Sequence, residues 1–407
     1  MGGNVFTDLT VPRLPHDLYN KIRSQCHEVL IDFYEDVFTP AEAPSKRDHG
    51  DIDFMVARPK TMHKGKPVTH AEQEIAKALN AVQVKKVSGS KTRHYAVPYP
   101  KSSEDEKNEE LYAQVDVHVV PNPDFLAWEL FLNSWGDLMQ IIGVLNRPIG
   151  LTVNDRGIYV RIPEIEPTNR KKAMVFLTSS PTDMLCFLRL DVDQYERGFT
   201  TNEEVFEWCL NGGLYPAPKQ HDETANDRTR IRKRVMFTEC MREYYPKHKD
   251  RLWPATRRTW TREEVLEEAL NTFPQARLGY ELAMSEHARE GFSRDVLASM
   301  AEVGQSLGAE PKEIAEVVRG SKRFVDYVKG DWVLSGVALH DAVALVPDWM
   351  EYITLEQEKV EFLAWLKQNW RGIHERERDR MRVGKGLREA AKTGAGSAVT
   401  ETTGSVV

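Results

Sequence analysis

The stretch His49-Gly50-Asp51-Ile52-Asp53-Phe54-Met55-Val56 decides the fold, because it reads as a strand carrying two acids where strands seldom carry one. Side chains alternate faces along a strand, so Asp51 and Asp53 share one face while Ile52, Phe54 and Val56 share the other. Neighbouring carboxylates repel and lose hydration on a sheet face, and a divalent cation between them removes both penalties. Gly50 lets backbone or a ligand approach the first carboxylate.

A second segment, Gln114-Val115-Asp116-Val117-His118-Val119-Val120, repeats the pattern, with Val115, Val117 and Val119 on one face and Asp116 and His118 on the other. If the two strands are neighbours, Asp116 joins Asp51 and Asp53 at one end of a sheet. Three such groups hold two Mg²⁺ about 3.5–4 Å apart, the clamp used for in-line displacement at phosphorus. The competing reading is a set of solvated polar positions on a half-exposed sheet. His118 is either a group that orients Asp116 or an ordinary polar strand residue.

Gly-Asp-Ile-Asp followed by apolar residues, then a later apolar-Asp-apolar strand, resembles the nucleotidyltransferases of the DNA polymerase beta superfamily, over about residues 15–125. The resemblance implies an α+β fold in which a mixed β-sheet catalytic core precedes a largely α-helical region. It implies that Asp51 and Asp53 bind both metals, and that Asp116 helps bind the catalytic Mg²⁺ or Mn²⁺ and activates an attacking hydroxyl. An NTP is the implied substrate, with pyrophosphate as leaving group. The family grips the triphosphate with a Gly-Ser or Gly-Gly pair, and this chain has Pro44-Ser45-Lys46-Arg47-Asp48 there. Ser45, Lys46 and Gly50 are the candidate nucleotide contacts, with Arg47 a further source of positive charge. A basic loop with no such role is the alternative.

The chain has 407 residues, 41% of them hydrophobic, which suffices for two or three domains with sizeable cores. Its net charge of −7 excludes a uniformly basic surface that would attract nucleic acid everywhere. The four cysteines, Cys26, Cys186, Cys209 and Cys240, are far apart and form no Cys-X-X-Cys pair, so they read as reduced thiols. The histidines form no His-Glu-X-X-His motif. No stretch reaches 18 apolar residues, and no charged start leads into an apolar core. The expectation is a protein without a membrane partner, intracellular and either cytoplasmic or nuclear. Phe6 stands where a myristoylation motif needs Ser or Thr, which argues against that reading of Met1-Gly2.

Along the chain, helical spacing over 15–34 precedes a short strand near Asp36–Thr39, and a helix follows the Asp-X-Asp strand over His70–Leu79. Val82–Val87 and Arg93–Val97 read as a hairpin around Ser88-Gly89-Ser90-Lys91, which lacks the Gly-Lys-Ser/Thr of a P-loop and is taken as a turn. Lys101–Glu110 is a charged loop before the third-Asp strand, Leu111–Val120. Helices are expected over Phe125–Asn133, Asp137–Leu145, Pro181–Leu190, Asn202–Leu210, Val265–Phe273, Pro311–Lys329 and Thr354–Arg382. Asn154-Asp155-Arg156-Gly157 marks a hairpin within Leu151–Ile162, and Lys171–Leu177 a further strand. Thr261-Arg262-Glu263-Glu264 resembles a capping box.

The expected divisions are a catalytic core over 1–122, a mostly helical nucleotide- or substrate-binding part over 123–260, a C-terminal helical part over 261–392 and a disordered tail over 393–407. Residues 219–258 hold 12 Lys/Arg against 6 Asp/Glu, densest at 228–234, with Tyr244, Tyr245, Trp253 and Trp260 nearby. Residues 367–392 hold 9 against 4. These two segments could track an RNA backbone and stack its bases, could be solvated faces, or, for the first, could meet a triphosphate.

Transfer of NMP from an NTP to an acceptor hydroxyl is therefore the expected activity, with an RNA 3′ end favoured and a protein or small-molecule hydroxyl next. A binding or scaffold protein that keeps the fold without catalysis is the alternative, and a metal-dependent nuclease the third.

Overall fold

The computed structural model of the chain describes residues 3, 5–60, 71–100, 110–215, 234–328, 331–334 and 353–394. They form an α+β protein in which a mixed sheet is followed by helices. Two compact units divide the chain, residues 1–283 and 284–407.

Residues 1–283 begin with α1 (His16–Leu30), β2 (Tyr34–Phe38) and β4 (Ile52–Pro59), with the two-residue strands β1 (Leu14–Pro15) and β3 (Asp48–His49) paired to each other. Then come α2 (Ala71–Ala78), β5 (Gln83–Lys86), β6 (Thr92–Pro98) and β7 (Tyr112–Val119). The five-stranded sheet has the order β2-β4-β7-β6-β5. Only β4 and β7 run parallel; β2–β4, β7–β6 and β6–β5 are antiparallel. The hairpin between β5 and β6 turns at Ser88-Gly89, where Gly89 has φ +78° and Ser90 N–H donates to Val87 O at 3.0 Å. The segment is thus a hairpin turn, as the sequence reading took it to be.

The sheet is buried on one face and partly covered on the other. Ile52, Phe54 and Val56 of β4 meet Val115 and Val117 of β7, Tyr95 of β6, and Tyr19, Ile22, Cys26 and Leu30 of α1. Ile75 and Leu79 close this core from α2 and the residue after it. The alternation read from the two Asp-bearing segments therefore directs their valines, isoleucine and phenylalanine under α1 and α2. On the other face, Met55 and Ala57 pack with Val120, Leu126 and Leu130, while Phe6 packs with Ala96 and Tyr112. The polar residues of the face lie on the same strands between these two patches.

The rest of this unit holds α3 (Leu126–Asn133), α4 (Leu138–Asn146), β8 (Leu151–Asn154), β9 (Gly157–Arg161), β10 (Met174–Thr178), α5 (Pro181–Leu188), α6 (Val192–Arg197) and α7 (Asn202–Leu210). β8, β9 and β10 make a separate antiparallel sheet. Gly157 sits at φ +150°, and a Cβ there would come within 2.4 Å of Thr178 O, so the hairpin needs glycine at this position. Trp128 is fully buried, its Nε1–H donating to Asn154 O at 2.9 Å, which ties α3 to that hairpin. Thr261 caps the helix Arg262–Thr272 through a reciprocal capping box with Glu264, as its sequence indicates.

Within residues 284–407, Val296, Met300, Val317, Phe362, Leu366, Trp370 and Ile373 form a separate core. Glu377 is fully buried, with arginines 319, 323 and 380 within 4 Å of its carboxylate. The expected helix over 311–329 ends instead at Phe324, and Val325–Val328 pairs antiparallel with Asp331–Leu334. A valine-aspartate-tyrosine-valine run has stronger strand than helix preference, and a partner strand decides the matter. Among the helices with no counterpart in the sequence reading are Val192–Arg197 and Ala276–Ser306. In the second, Ser285-Glu286-His287 and Arg289-Glu290-Gly291 interrupt the apolar spacing that signals a helix.

Ile52 is fully buried at the head of β4, so Ile52→Ala leaves a cavity at the centre of the larger core. Urea denaturation should show a loss of about 2–5 kcal/mol in the unfolding of residues 1–283. A loss below ~1 kcal/mol would show that this core is not packed as described.

Candidate functional site

β4 and β7 are neighbours in parallel register, with Asp53 opposite Asp116, Ile52 opposite Val115 and Phe54 opposite Val117. One carboxylate oxygen each from Asp51, Asp53 and Asp116 lies within 4.8 Å of the other two. Such a spacing suits hard cations with oxygen ligands and is costly without them. Asp116 is buried, Asp51 half-buried and Asp53 exposed, so the group opens to solvent on the Asp53 side.

Electrostatics record the cost. Protein atoms crowding Asp53, together with the charges of Asp51 and Asp116, push its carboxyl up to about 7 from the ordinary 3.8. Because water still reaches the exposed carboxylate, screening tempers the repulsion. Burial likewise raises Asp116, opposed by hydrogen bonds from His94 and Gln114.

The partner of Asp116 is His94. It lies opposite Asp116 in the antiparallel β6–β7 register, and its Nδ1 is 2.8 Å from Asp116 Oδ1. An ionised carboxylate only accepts hydrogen bonds, so Nδ1 carries the proton. Gln114 Nε2–H donates to both oxygens of Asp116, at 3.0 and 3.1 Å. His118 does not orient Asp116: its Nε2 is 2.9 Å from Glu129 Oε2 and its Nδ1 3.0 Å from Thr92 Oγ1. The two residues share a face but stand one strand repeat apart, and α3 supplies the nearer acceptor. His94 escaped the sequence reading because no residue pattern states a strand register. The strand itself, Arg93–Val97, was legible, but its register against β7, which sets His94 opposite Asp116, was not.

The loop before β4 holds the other candidates. Lys46 Nζ donates to Glu42 Oε2 at 2.6 Å, and Tyr19 O–H donates to Glu42 Oε1 at 3.1 Å. The charges of Glu42 and Lys46 both act on Asp53. Ser45 is exposed in the turn formed with Pro44. Gly50 is buried, and the backbone at Gly3 approaches so closely that a Cβ there would lie 2.3 Å from Gly50 O. His49 is buried and stacked on Tyr19 with ring centroids 3.7 Å apart. Burial pushes its pKa down, so it is neutral at physiological pH.

The turn after α3 fastens this loop from behind. Trp135 N–H donates to Ala41 O at 2.6 Å, and Ser134 Oγ accepts from Ala41 N–H at 3.1 Å. Trp135 has φ +63°, a strained backbone for a non-glycine residue, held by its ring packing on Tyr195 and Phe199.

Of the basic candidates, residues 228–233 and the tail beyond 394 lie outside the described residues, as does most of the charged loop over 101–110. Arg234 pairs with Asp137 at 3.1 Å. Trp260 is buried between the guanidinium groups of Arg189 and Arg258, and Arg257 covers Trp253. Those indole faces are therefore occupied from within the protein. Residues 367–392 belong to the long helix Glu356–Gly394, with Arg371, Arg378 and Arg382 exposed. Among the described residues no helix is long and apolar enough to cross a membrane.

Comparison of the chain with protein-family models and with curated proteins gives no match.

The shift of Asp53 fixes the sign of a pH effect. Its carboxyl is raised when folded, so its ionisation opposes folding increasingly as pH climbs from about 4 through 7. Metal-free Asp53→Asn should melt about 1–4 °C above wild type at pH 8, with a smaller gain at pH 5. Mn²⁺ should raise the melting temperature of wild type and leave that of the variant nearly unmoved. A variant that melts at or below wild type at pH 8 would mean that the three carboxylates do not repel as their spacing requires.

Proposed function

We propose that this protein is a metal-dependent nucleotidyltransferase of the DNA polymerase beta type, transferring NMP from an NTP to an acceptor hydroxyl with release of pyrophosphate. The observation that carries the reading is the convergence of Asp51, Asp53 and Asp116 from two parallel strands onto one solvent-open spot. The donor set fits the implied ions: three carboxylates, no sulfur or imidazole among them, and a charge excess large enough to disturb Asp53.

In this reading Asp51, Asp53 and Asp116 would together hold two Mg²⁺ or Mn²⁺ ions. Bound there, the ions neutralise charge on the entering and departing oxygens of an in-line displacement. The protein's own contribution is position and charge. β4 and β7 fix the three carboxylates, and His94 and Gln114 hold Asp116. The open side at Asp53 admits the nucleotide. Lys46, whose charge already acts on Asp53, would supply positive charge to phosphate once it leaves Glu42. Ser45, exposed in its turn, is a further candidate nucleotide contact, whereas Gly50 is buried with its carbonyl against Gly3.

An RNA 3′ end is the favoured acceptor, on the strength of the exposed arginines along the helix Glu356–Gly394 and the basic run at 228–234. A protein or small-molecule hydroxyl is the next choice. RNA binding that weakens steeply as salt rises supports a backbone-tracking enzyme, and salt-independent binding excludes it.

One observation favours a second reading, a scaffold that keeps the fold without catalysis. The segment Pro44–Asp48 has no glycine pair, and its lysine is engaged by Glu42. Titration of labelled ATP with Mn²⁺ separates the two: neither binding nor pyrophosphate release with any NTP would establish the scaffold.

Incubation with α-labelled NTPs and total cellular RNA or protein tests the main reading directly. Label should appear on one acceptor class with wild type and on none with Asp51→Ala/Asp53→Ala. Asp116→Ala should lower transfer by roughly 100-fold or more while nucleotide affinity falls less. Transfer by that variant within a few-fold of wild type would remove Asp116 from the chemistry.

A further inference from the structure

We propose that His94 and Gln114 are positioning residues that clamp Asp116 so that it offers a divalent cation one oxygen, Oδ2, in one direction. The inference rests on the metal-dependent reading of the site and concerns side chains that the two Asp-bearing segments do not contain or did not single out.

The lone pairs decide it. Asp116 Oδ1 accepts from His94 Nδ1–H at 2.8 Å and from Gln114 Nε2–H at 3.0 Å, which fills both of its acceptor positions. Oδ2 is 3.1 Å from the same Gln114 nitrogen and keeps a lone pair free. Asp116 is thereby prevented from chelating an ion with both oxygens and from rotating away from Asp51 and Asp53. Rotation is what like charge would otherwise drive, since the three carboxylates approach within 4.8 Å.

Each donor is itself held. Gln114 Oε1 accepts from Val5 N–H at 3.1 Å, which fixes the amide orientation and turns Nε2 toward Asp116. Val5 belongs to an N-terminal segment fastened elsewhere, through Lys85 Nζ to Asp8 at 2.9 Å and Tyr112 N–H to Thr10 O at 3.0 Å. His94 is buried and sits in the β6–β7 ladder directly opposite Asp116, so its ring has little room to swing. Three neighbouring positions of the sheet face, Asp53, Asp116 and His94, thus run across β4, β7 and β6 as ligand, ligand and support.

The test measures Mn²⁺ affinity by calorimetry alongside kcat and KM for NMP transfer, in His94→Phe, His94→Asn and Gln114→Met. His94→Phe and Gln114→Met should each weaken Mn²⁺ binding and lower kcat by about 10–100-fold, with KM for the NTP nearly unchanged. His94→Asn places an amide N–H close to the lost Nδ1–H and should recover most of both quantities. A purely structural role would lower the melting temperature without this rescue. If His94→Phe does not fold, Gln114→Met and His94→Asn carry the comparison.

Folded His94→Phe and Gln114→Met proteins that bind Mn²⁺ and transfer label as wild type does would overturn the clamp and leave the proposed function standing. Wild type that binds Mn²⁺ without transferring label, with affinity lost in the variants, would keep the clamp and sink the transferase. Wild type that binds no Mn²⁺ would overturn both.

Discussion

Everything at the site depends on one pairing, the parallel ladder between β4 and β7. It sets Asp53 directly opposite Asp116, a placement that electrostatics alone opposes. The opposition is overcome on the other face of the same two strands, where Ile52, Phe54, Val56, Val115 and Val117 are buried beneath α1 and α2. A slip by one residue would expose these apolar side chains and bury the acids. Hydrophobic burial thus enforces a register that concentrates negative charge, and a cation is the natural relief.

The carboxylate face works because its covering is incomplete. Leu126 and Leu130 of α3 close one side over Met55 and Ala57, and Phe6 closes the other over Ala96 and Tyr112. The two histidines on this face serve different neighbours. His118 reaches out to Glu129 on α3, and His94 turns in to Asp116. A helix and an N-terminal segment, neither of them contributing a carboxylate to the group, therefore frame the three acids.

The loop over 41–50 shows a different economy. With no glycine pair, its shape comes from outside contacts: the strained turn at Trp135 grips Ala41, and Glu42 gathers Tyr19 and Lys46. Lys46 is held by an internal acid. Under the proposed function it would exchange that acid for phosphate, a question of relative affinity rather than of architecture.

What the sequence by itself determined was local. Period-two alternation around Asp51, Asp53 and Asp116 announced both strands, their buried faces and the three acids, because a strand writes its two faces into successive residues. Capping at Thr261 and the turns at Ser88-Gly89 and Asn154–Gly157 were readable for the same reason. Tertiary structure alone decided which strands became neighbours, and so which side chains meet. The choice of His94 over His118 as partner of Asp116, the Val5 hold on Gln114 and the Trp135 grip on Ala41 join residues 20 to 110 positions apart, approximately, across pairings that no short pattern encodes. The long helix Ala276–Ser306 was hidden for a related reason. Its apolar spacing is interrupted, and stability drawn from packing rather than from periodicity leaves little trace in the chain itself.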